Sequence, residues 1–418
     1  MPTQVALQGD LTERLLAEIE GRARSEGPEQ LGESLRLLGN LPMRRPWPII
    51  EPLTYELRAL DSLEPQLLTE ILDGLARLRY DDPKLLDVVD TMVERSLEMK
   101  HLHEAQACAI MEAFGTLGHQ GRSGALIPHL VERIAAAQSL LPHSVVSLVH
   151  AFALLRIEPV DPLPVSKISS LLSASGLPLE LADVGLLIWS YVELGCAEAA
   201  MDLLRNSFTQ EMIDAAVTAD LHTLTLLLWS LLALRAYETP LLVACMQSIG
   251  ASAPGIHLPS QLCRLAECML MMQLEAPQTL GLALPPELCM KAQYAWQQAY
   301  TPNVAERPSQ QLIEVSAGLD ALGLTHRVRF FNTYPMDVYI SHEVTDGTTF
   351  SILLHPSTHY TSSRSLLGSL QLKSRLLQAL GCVVLHIRHD DWNDKRTDDM
   401  RRRALQELLQ PHMKPLPA

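Results

Sequence analysis

The side chains best suited to chemistry crowd toward the end of the sequence. Lys373 and Arg375 stand two apart and are followed by His386, Arg388 and Trp392, while His359, Tyr360 and Arg364 lie just upstream. Ammonium and guanidinium groups neutralise phosphates, imidazoles exchange hydrogen bonds, and flat rings stack on unpaired bases. The set reads as a contact surface for RNA rather than a reaction centre. For Lys373 and Arg375 a second reading stays open: a solvated helix face, or ion pairs with Asp390, Asp391 or Asp394. The Arg401–Arg403 run is as easily a solvated helix surface as a phosphate contact. His386 and His389 have H-x-x-H spacing, but a strand end does not converge such a pair as a helix would.

No phosphate-cradling G-x-x-x-x-G-K-[ST], dinucleotide-binding G-x-G-x-x-G, zinc-binding H-E-x-x-H or nucleophile-elbow G-x-S-x-G stands in a fitting context. The seven cysteines, Cys108, Cys196, Cys245, Cys263, Cys268, Cys289 and Cys382, are scattered without a C-x-x-C pair and read as reduced, mostly buried thiols. No catalytic residue, metal or cofactor is expected.

The elements that must hold the basic residues differ from everything before them. Leu372 to Gly381 reads as a helix ended by a glycine cap, Cys382–Ile387 as a buried strand, and Trp392 trails it. Arg327–Asn332, Asp337–His342 and Thr349–His355 are further short β-rich runs. Charge changes at the same place. The 418-residue chain carries 33 Lys+Arg against 48 Asp+Glu, a net of −15. Residues 326–418 hold 12 and 9, a net of +3, so the preceding 325 hold 21 and 39, a net of −18. That acidic stretch does not suit phosphate neutralisation and favours a basic protein partner.

Upstream a repeat sets the architecture. Ser34, Gly74, Ala113, Ala151, Ser190, Ser230 and Cys268 each precede, by four residues, Leu38, Leu78, Leu117, Leu155, Leu194, Leu234 or Met272. The anchors recur at 38–40 residues, and Gly318 with Leu322 forms an irregular last unit. A small residue one turn before a leucine lets a neighbouring helix approach while the leucine fills the groove beside it. Second apolar helices follow, as in Pro83–Glu98 and Pro240–Ile249, so stacked helical hairpins are expected. Gly, Arg or Gln comes after every anchor (Gly39, Arg79, Gly118, Arg156, Gly195, Arg235, Gln273, Gly323). Trp189 and Trp229 occupy one equivalent repeat position, where Glu33, Asp73, Glu112, His150 and Glu267 stand elsewhere. Stacking on RNA bases is one reading of the tryptophans; packing between hairpins is favoured, at a solvent-edge position of variable occupancy.

Hydrophobic residues make up 47% and aromatics only 5%, which suits an aliphatic, helical core and excludes disorder as the main state. The longest apolar run, Leu224 to Leu234, is too short to span a bilayer. The first 30 residues hold six carboxylates and three arginines, which is not the composition of an import arm.

The C-terminal segment resembles the RAP domain, a module at the C-termini of helical-repeat proteins of mitochondria and chloroplasts. The likeness rests on the L-K-x-R-x-L-x-x-x-G helix at 372–381, the apolar strand, Trp392, the closing basic helix through Leu409, and Leu353–Tyr360 at the family's E-V-D-G-P-x-H-F strand end. It spans roughly residues 327–410. Together with a 38-residue repeat it is also similar to the octotricopeptide family, although that family's tryptophan-containing motif is not obvious.

The resemblance implies an endonuclease-like α/β fold and RNA-related work in organelles. Leu353 and His355 occupy the family's acidic positions and Pro356 its glycine, so the carboxylates that would hold a hard divalent cation are missing. Glu343 and Asp346 are poorly placed substitutes, and a metal-dependent nuclease is not expected. The expectation is a mostly α protein: an α-solenoid over 1–325 and a RAP-like α/β domain over 326–418. It would bind ribosomal RNA or transcripts without catalysis, as a mitochondrial ribosome component or an assembly or processing factor. The rival is an acidic scaffold for basic proteins with a degenerate RAP-like domain.

Overall fold

The computed structural model describes residues 63–412, apart from 99, 123, 208, 257, 278–283, 302–306, 342–344 and 346, together with 34–35. It divides into two compact units, Met1–Leu179 and Glu180–Ala418. The first contains α1 (Pro65–Leu78), α2 (Pro83–Glu98), α3 (Glu104–Leu117), α4 (Leu126–Ala135), α5 (Pro142–Leu155) and α6 (Val165–Ala174). Stacking alternates: α3 packs between α1 and α5, while α2 packs on α4. The close approach of α3 and α5 is seen at Gly115, two residues past Ala113, where a Cβ would lie 2.9 Å from Leu154 Cβ on α5.

The second unit continues the repeat with α7 (Leu181–Glu193), α8 (Ala197–Ser207), α9 (Gln210–Ala216), α10 (Leu221–Ala233), α11 (Pro240–Ala251), α12 (Pro259–Glu275), α13 (Pro286–Tyr300) and α14 (Gln310–Ala321). Here α7, α10, α12 and α13 stack in order. All seven small anchor residues are buried; Leu38 lies outside the described residues. The residue after the anchor closes the helix. Arg79, Gly118, Arg156, Gly195, Arg235 and Gly323 all have φ between 51° and 74°, the left-handed conformation that folds the chain back onto the last carbonyls. Gln273 is the exception, because α12 continues to Glu275.

The same unit ends in a four-stranded sheet ordered β1 (Arg327–Phe331), β2 (Pro335–Ile340), β3 (Thr349–His355), β4 (Cys382–Arg388). The first two pairings are antiparallel and β3–β4 is parallel, joined through α15 (Gly368–Ala379). The short α16 (His389–Asn393) and α17 (Asp398–Leu409) follow. Val338, Ile340, Phe350, Ile352 and Ile387 form a core with Leu312, Val315 and Leu319 of α14 and Leu405 and Leu409 of α17.

Helix α15 also touches α7 and α12 of the repeats. Gly368 is required there, because a Cβ would sit 1.8 Å from the Val192 carbonyl oxygen. Beside it Glu193 accepts from Ser369 N at 3.0 Å and Ser369 Oγ at 2.8 Å. The repeats thus hold the helix that carries Lys373 and Arg375. No helix among the described residues is long and apolar enough to cross a membrane, and the seven cysteines are free, four of them buried.

Candidate nucleic-acid interface

Ligands of parallel α/β sheets collect at the carboxyl ends of the strands. Here β3 ends at His355, whose register partner is Arg388, and His386 lies two residues earlier on β4 opposite Leu353. Three imidazoles join across this edge. His355 Nδ1 is 3.1 Å from His359 Nδ1, and His355 Nε2 is 2.8 Å from His386 Nδ1. A longer contact of 3.4 Å links His386 Nε2 to Ser374 Oγ on α15. The His355 and His386 rings stack at 5.0 Å.

The direction of this chain follows from its last link. Ser374 Oγ donates to the Leu370 carbonyl at 3.0 Å, so it can only accept from His386. With neutral rings His386 carries its proton on Nε2 and accepts at Nδ1 from His355 Nε2–H, while His355 Nδ1 accepts from His359. Burial, then the neighbouring His386, His359 and Lys373, lowers the His355 pKa to about 3. Burial also lowers that of His386. His355 and His386 are therefore uncharged at neutral pH, and they offer hydrogen bonds rather than fixed charge.

Charge comes from beside it. The Arg388 guanidinium lies 4.7 Å from the centre of the Tyr360 ring, a cation–π contact that holds both side chains half-exposed. Arg388 Nε is also 3.8 Å from exposed Asp391, a weak pairing. Arg364 is exposed on a tight loop with φ 71°, closed by Thr361 N donating to the Ser365 carbonyl at 2.8 Å. His359, Tyr360, His386 and Arg388 are thus gathered at one sheet edge, with Arg364 on the adjoining loop.

The other three residues expected at the surface are committed elsewhere. Arg375 reaches across to the repeats: its Nε is 2.8 Å from Glu275 Oε1, Nη2 donates to Glu275 Oε2 at 3.0 Å, and Nη1 donates to the Ala233 carbonyl at 2.8 Å. Its partner is a repeat carboxylate, not Asp390, Asp391 or Asp394, and its fork is spent. Lys373 is half-buried. Burial lowers its pKa, with Asp337 and Glu267 pulling the other way. Trp392 is 3% exposed in the core beneath the sheet, and its Nε1 donates to Glu314 Oε2 at 2.9 Å. No ring face remains for a base. Its place is structural because Trp392, in the short α16, turns inward to meet Glu314 of α14.

Arg401 pairs with Glu314 at 3.1 Å and Arg402 with Asp399 at 3.1 Å, so this run is largely compensated locally. His389 Nε2 lies 2.9 Å from Asn393 Nδ2, away from the His355 chain. Among the described residues no group of three His, Cys, Asp or Glu side chains could hold a metal ion. Glu343 and Asp346 lie outside the described residues.

The tryptophan position of the repeat differs from a variable solvent edge. Trp229 is 4% exposed, and its Nε1 donates to Glu267 at 2.6 Å. Glu112 and His150 are likewise joined at 3.0 Å. Equivalent positions of neighbouring repeats therefore bond to each other. Burial raises the Glu267 pKa against the hydrogen bonds from Tyr334 and Trp229, and the Tyr334 hydroxyl ties the β1–β2 connection to α12. His355, the linchpin of the cluster, was legible only as a departure from an acidic position. Its i+4 relation to His359 was the available signal.

Residues 353–408 match the RAP domain, which is generally an RNA-binding domain, and the helices before it form a repeat-like region. No curated protein matches the chain.

Proposed function

We propose, from the RAP domain at residues 353–408, that this chain is a non-catalytic RNA-binding helical-repeat protein. The carrying observation is the group at the carboxyl end of β3 and β4: hydrogen-bonded histidines, with His355 and His386 neutral, beside the Arg388–Tyr360 pair, and Arg364 on the adjoining loop. Such a site contacts phosphates through Arg388 and Arg364 and unstacked bases through Tyr360 and His386. Arg375 acts behind it, seating α15 on the repeats, and Lys373 is half-buried on the same helix. Where a RAP-type nuclease would place carboxylates the chain has Leu353 and a neutral His355, which supports binding over hydrolysis.

We further propose a mitochondrial role on ribosomal RNA or transcripts, in a ribosome, its assembly or RNA processing. This part rests on the kinship of the module with organellar proteins. The net −18 of residues 1–325 favours a second contact, in which the repeats dock a basic protein partner. The test is fluorescence anisotropy with single-stranded RNA at low salt, using the full chain. Arg364→Ala combined with Arg388→Ala is expected to weaken binding about tenfold or more, for two lost charge-assisted contacts. Absence of any RNA binding by the unmodified protein overturns the reading. Recovery of the tagged protein from cells, with its RNA and protein companions sequenced, tests the organellar and ribosomal part.

A further inference from the structure

The β1–β2 edge carries a second feature, outside the 353–408 match. Arg329 lies in the middle of strand β1 with φ 48°, a left-handed conformation that is costly for a side chain bearing a Cβ. Along a regular strand, residues three apart point to opposite faces. Here Arg327 and Phe330 meet: the guanidinium is 5.3 Å from the Phe330 ring centre. Phe330 in turn stacks on Tyr339 of β2, with centroids 4.4 Å apart and planes inclined by 27°. The left-handed residue breaks the alternation and brings the three groups to one side, and Arg329 Nη2 donates to the Arg307 carbonyl at 2.9 Å to hold the kink.

Both rings remain half-exposed, and Arg327 is exposed. A pair of half-exposed aromatic rings at a sheet edge, with Arg327 against them in a chain of net −15, stands outside the buried core. Backbone strain that persists and arranges exposed groups points to a binding role. The chemistry is that of a flat, electron-rich platform with a cation above it. It suits an unstacked nucleobase with its phosphate on the arginine, and it does not suit duplex RNA, whose bases are already stacked.

We propose that Phe330 and Tyr339, with Arg327, form a second contact that stacks a nucleobase of single-stranded RNA. The ligand class rests on the RNA-binding reading above, while the location is independent of the RAP-domain cluster. The decisive variants are Phe330→Leu and Tyr339→Leu, which keep apolar bulk and remove the flat ring. Anisotropy with a short labelled oligouridylate and with an RNA duplex, together with ultraviolet cross-linking and peptide mass spectrometry, reads both affinity and position. The expected result is an oligouridylate affinity about tenfold weaker in each variant, unchanged thermal midpoints, and cross-links on the peptide containing 327–339. Wild-type affinity in both variants, or cross-links confined to 355–392, overturns this contact while leaving the RNA-binding reading standing. No binding of either RNA by the unmodified protein overturns both. Equal loss on duplex and single strand also overturns it, since stacking requires an unpaired base.

Discussion

At the scale of single residues, His355 joins stability to pH. Its pKa falls to about 3 in the folded chain from an ordinary 6.5. Between those values the unfolded chain takes up a proton that the folded chain refuses, so stability is full above pH 6.5 and declines as the pH falls toward 3. The loss approaches about 1.4 kcal/mol per pH unit for this one group. Urea unfolding at pH 7.5 and pH 5 should show it, and His355→Gln should shrink the difference between the two. An unchanged difference in the variant would place the acid sensitivity elsewhere. Arg375 makes the contrasting case. Arg375→Ala strips a nearly buried carboxylate, Glu275 at 9% side-chain exposure, of its fork and frees two carbonyls at the end of α10. The variant should lose about 2–3 kcal/mol, and Arg375→Lys should recover only part of it, because an ammonium cannot bridge three acceptors in one plane. RNA affinity per folded molecule should change little. Neither role was legible in the sequence, where Arg375 is simply a cation two residues from another. Its partner lies 100 positions away on a different helix.

At the scale of elements, the repeat was legible because its constraints are local. A small residue and a leucine four apart make a close approach and a plug on one helix face, and both sit within a single turn. The Gly or Arg after the anchor is equally local, and the structure supplies its reason: it is the left-handed residue that ends the helix. Glycine bears that conformation freely, whereas arginine pays a steric cost at Cβ. Arg156→Gly should therefore be stabilising by about 0.5–1 kcal/mol, measured by chemical denaturation, and Gly118→Ala should be destabilising by a similar amount. Opposite signs would mean that the arginine side chain contributes more than its backbone costs. The hydrogen bonds between repeats were harder to see, because they need complementary partners one period apart. Glu112 with His150 and Trp229 with Glu267 are such pairs at a spacing of 38. Read singly, each looks like an unremarkable edge residue. The burial of Trp392 was hidden for the same reason: an aromatic trailing a strand can face either way, and only the packing of α14 and α17 against the sheet turns it inward.

At the scale of the whole molecule, charge sorts the two kinds of surface. A protein that tracked RNA along its repeats would need cations at repeating positions, yet residues 1–325 sum to −18. Several cations of the C-terminal segment are also paired: Arg375 with Glu275, Arg401 with Glu314, and Arg402 with Asp399. The two proposed RNA contacts offer three arginines, Arg388 at a strand end, Arg364 on the adjoining loop and Arg327 at the β1 edge, while Arg396 and Arg403 are exposed outside them. Each neutralised phosphate on a single strand contributes about −0.7 to the slope of log affinity against log salt, so three give a slope of about −2. Anisotropy titrations from low to moderate salt should return that shallow value. A slope several units steeper would require phosphates along the repeats and would overturn the separation of surfaces. A shallow slope in the full chain, further reduced by about 0.7 in Arg388→Ala, would fix that arginine as one of the few phosphate contacts. Binding of this kind draws its energy from bases more than from charge. On the proposed reading it relies on stacking at Tyr360 and on the Phe330–Tyr339 pair, and the acidic repeats would repel excess RNA and attract a basic protein.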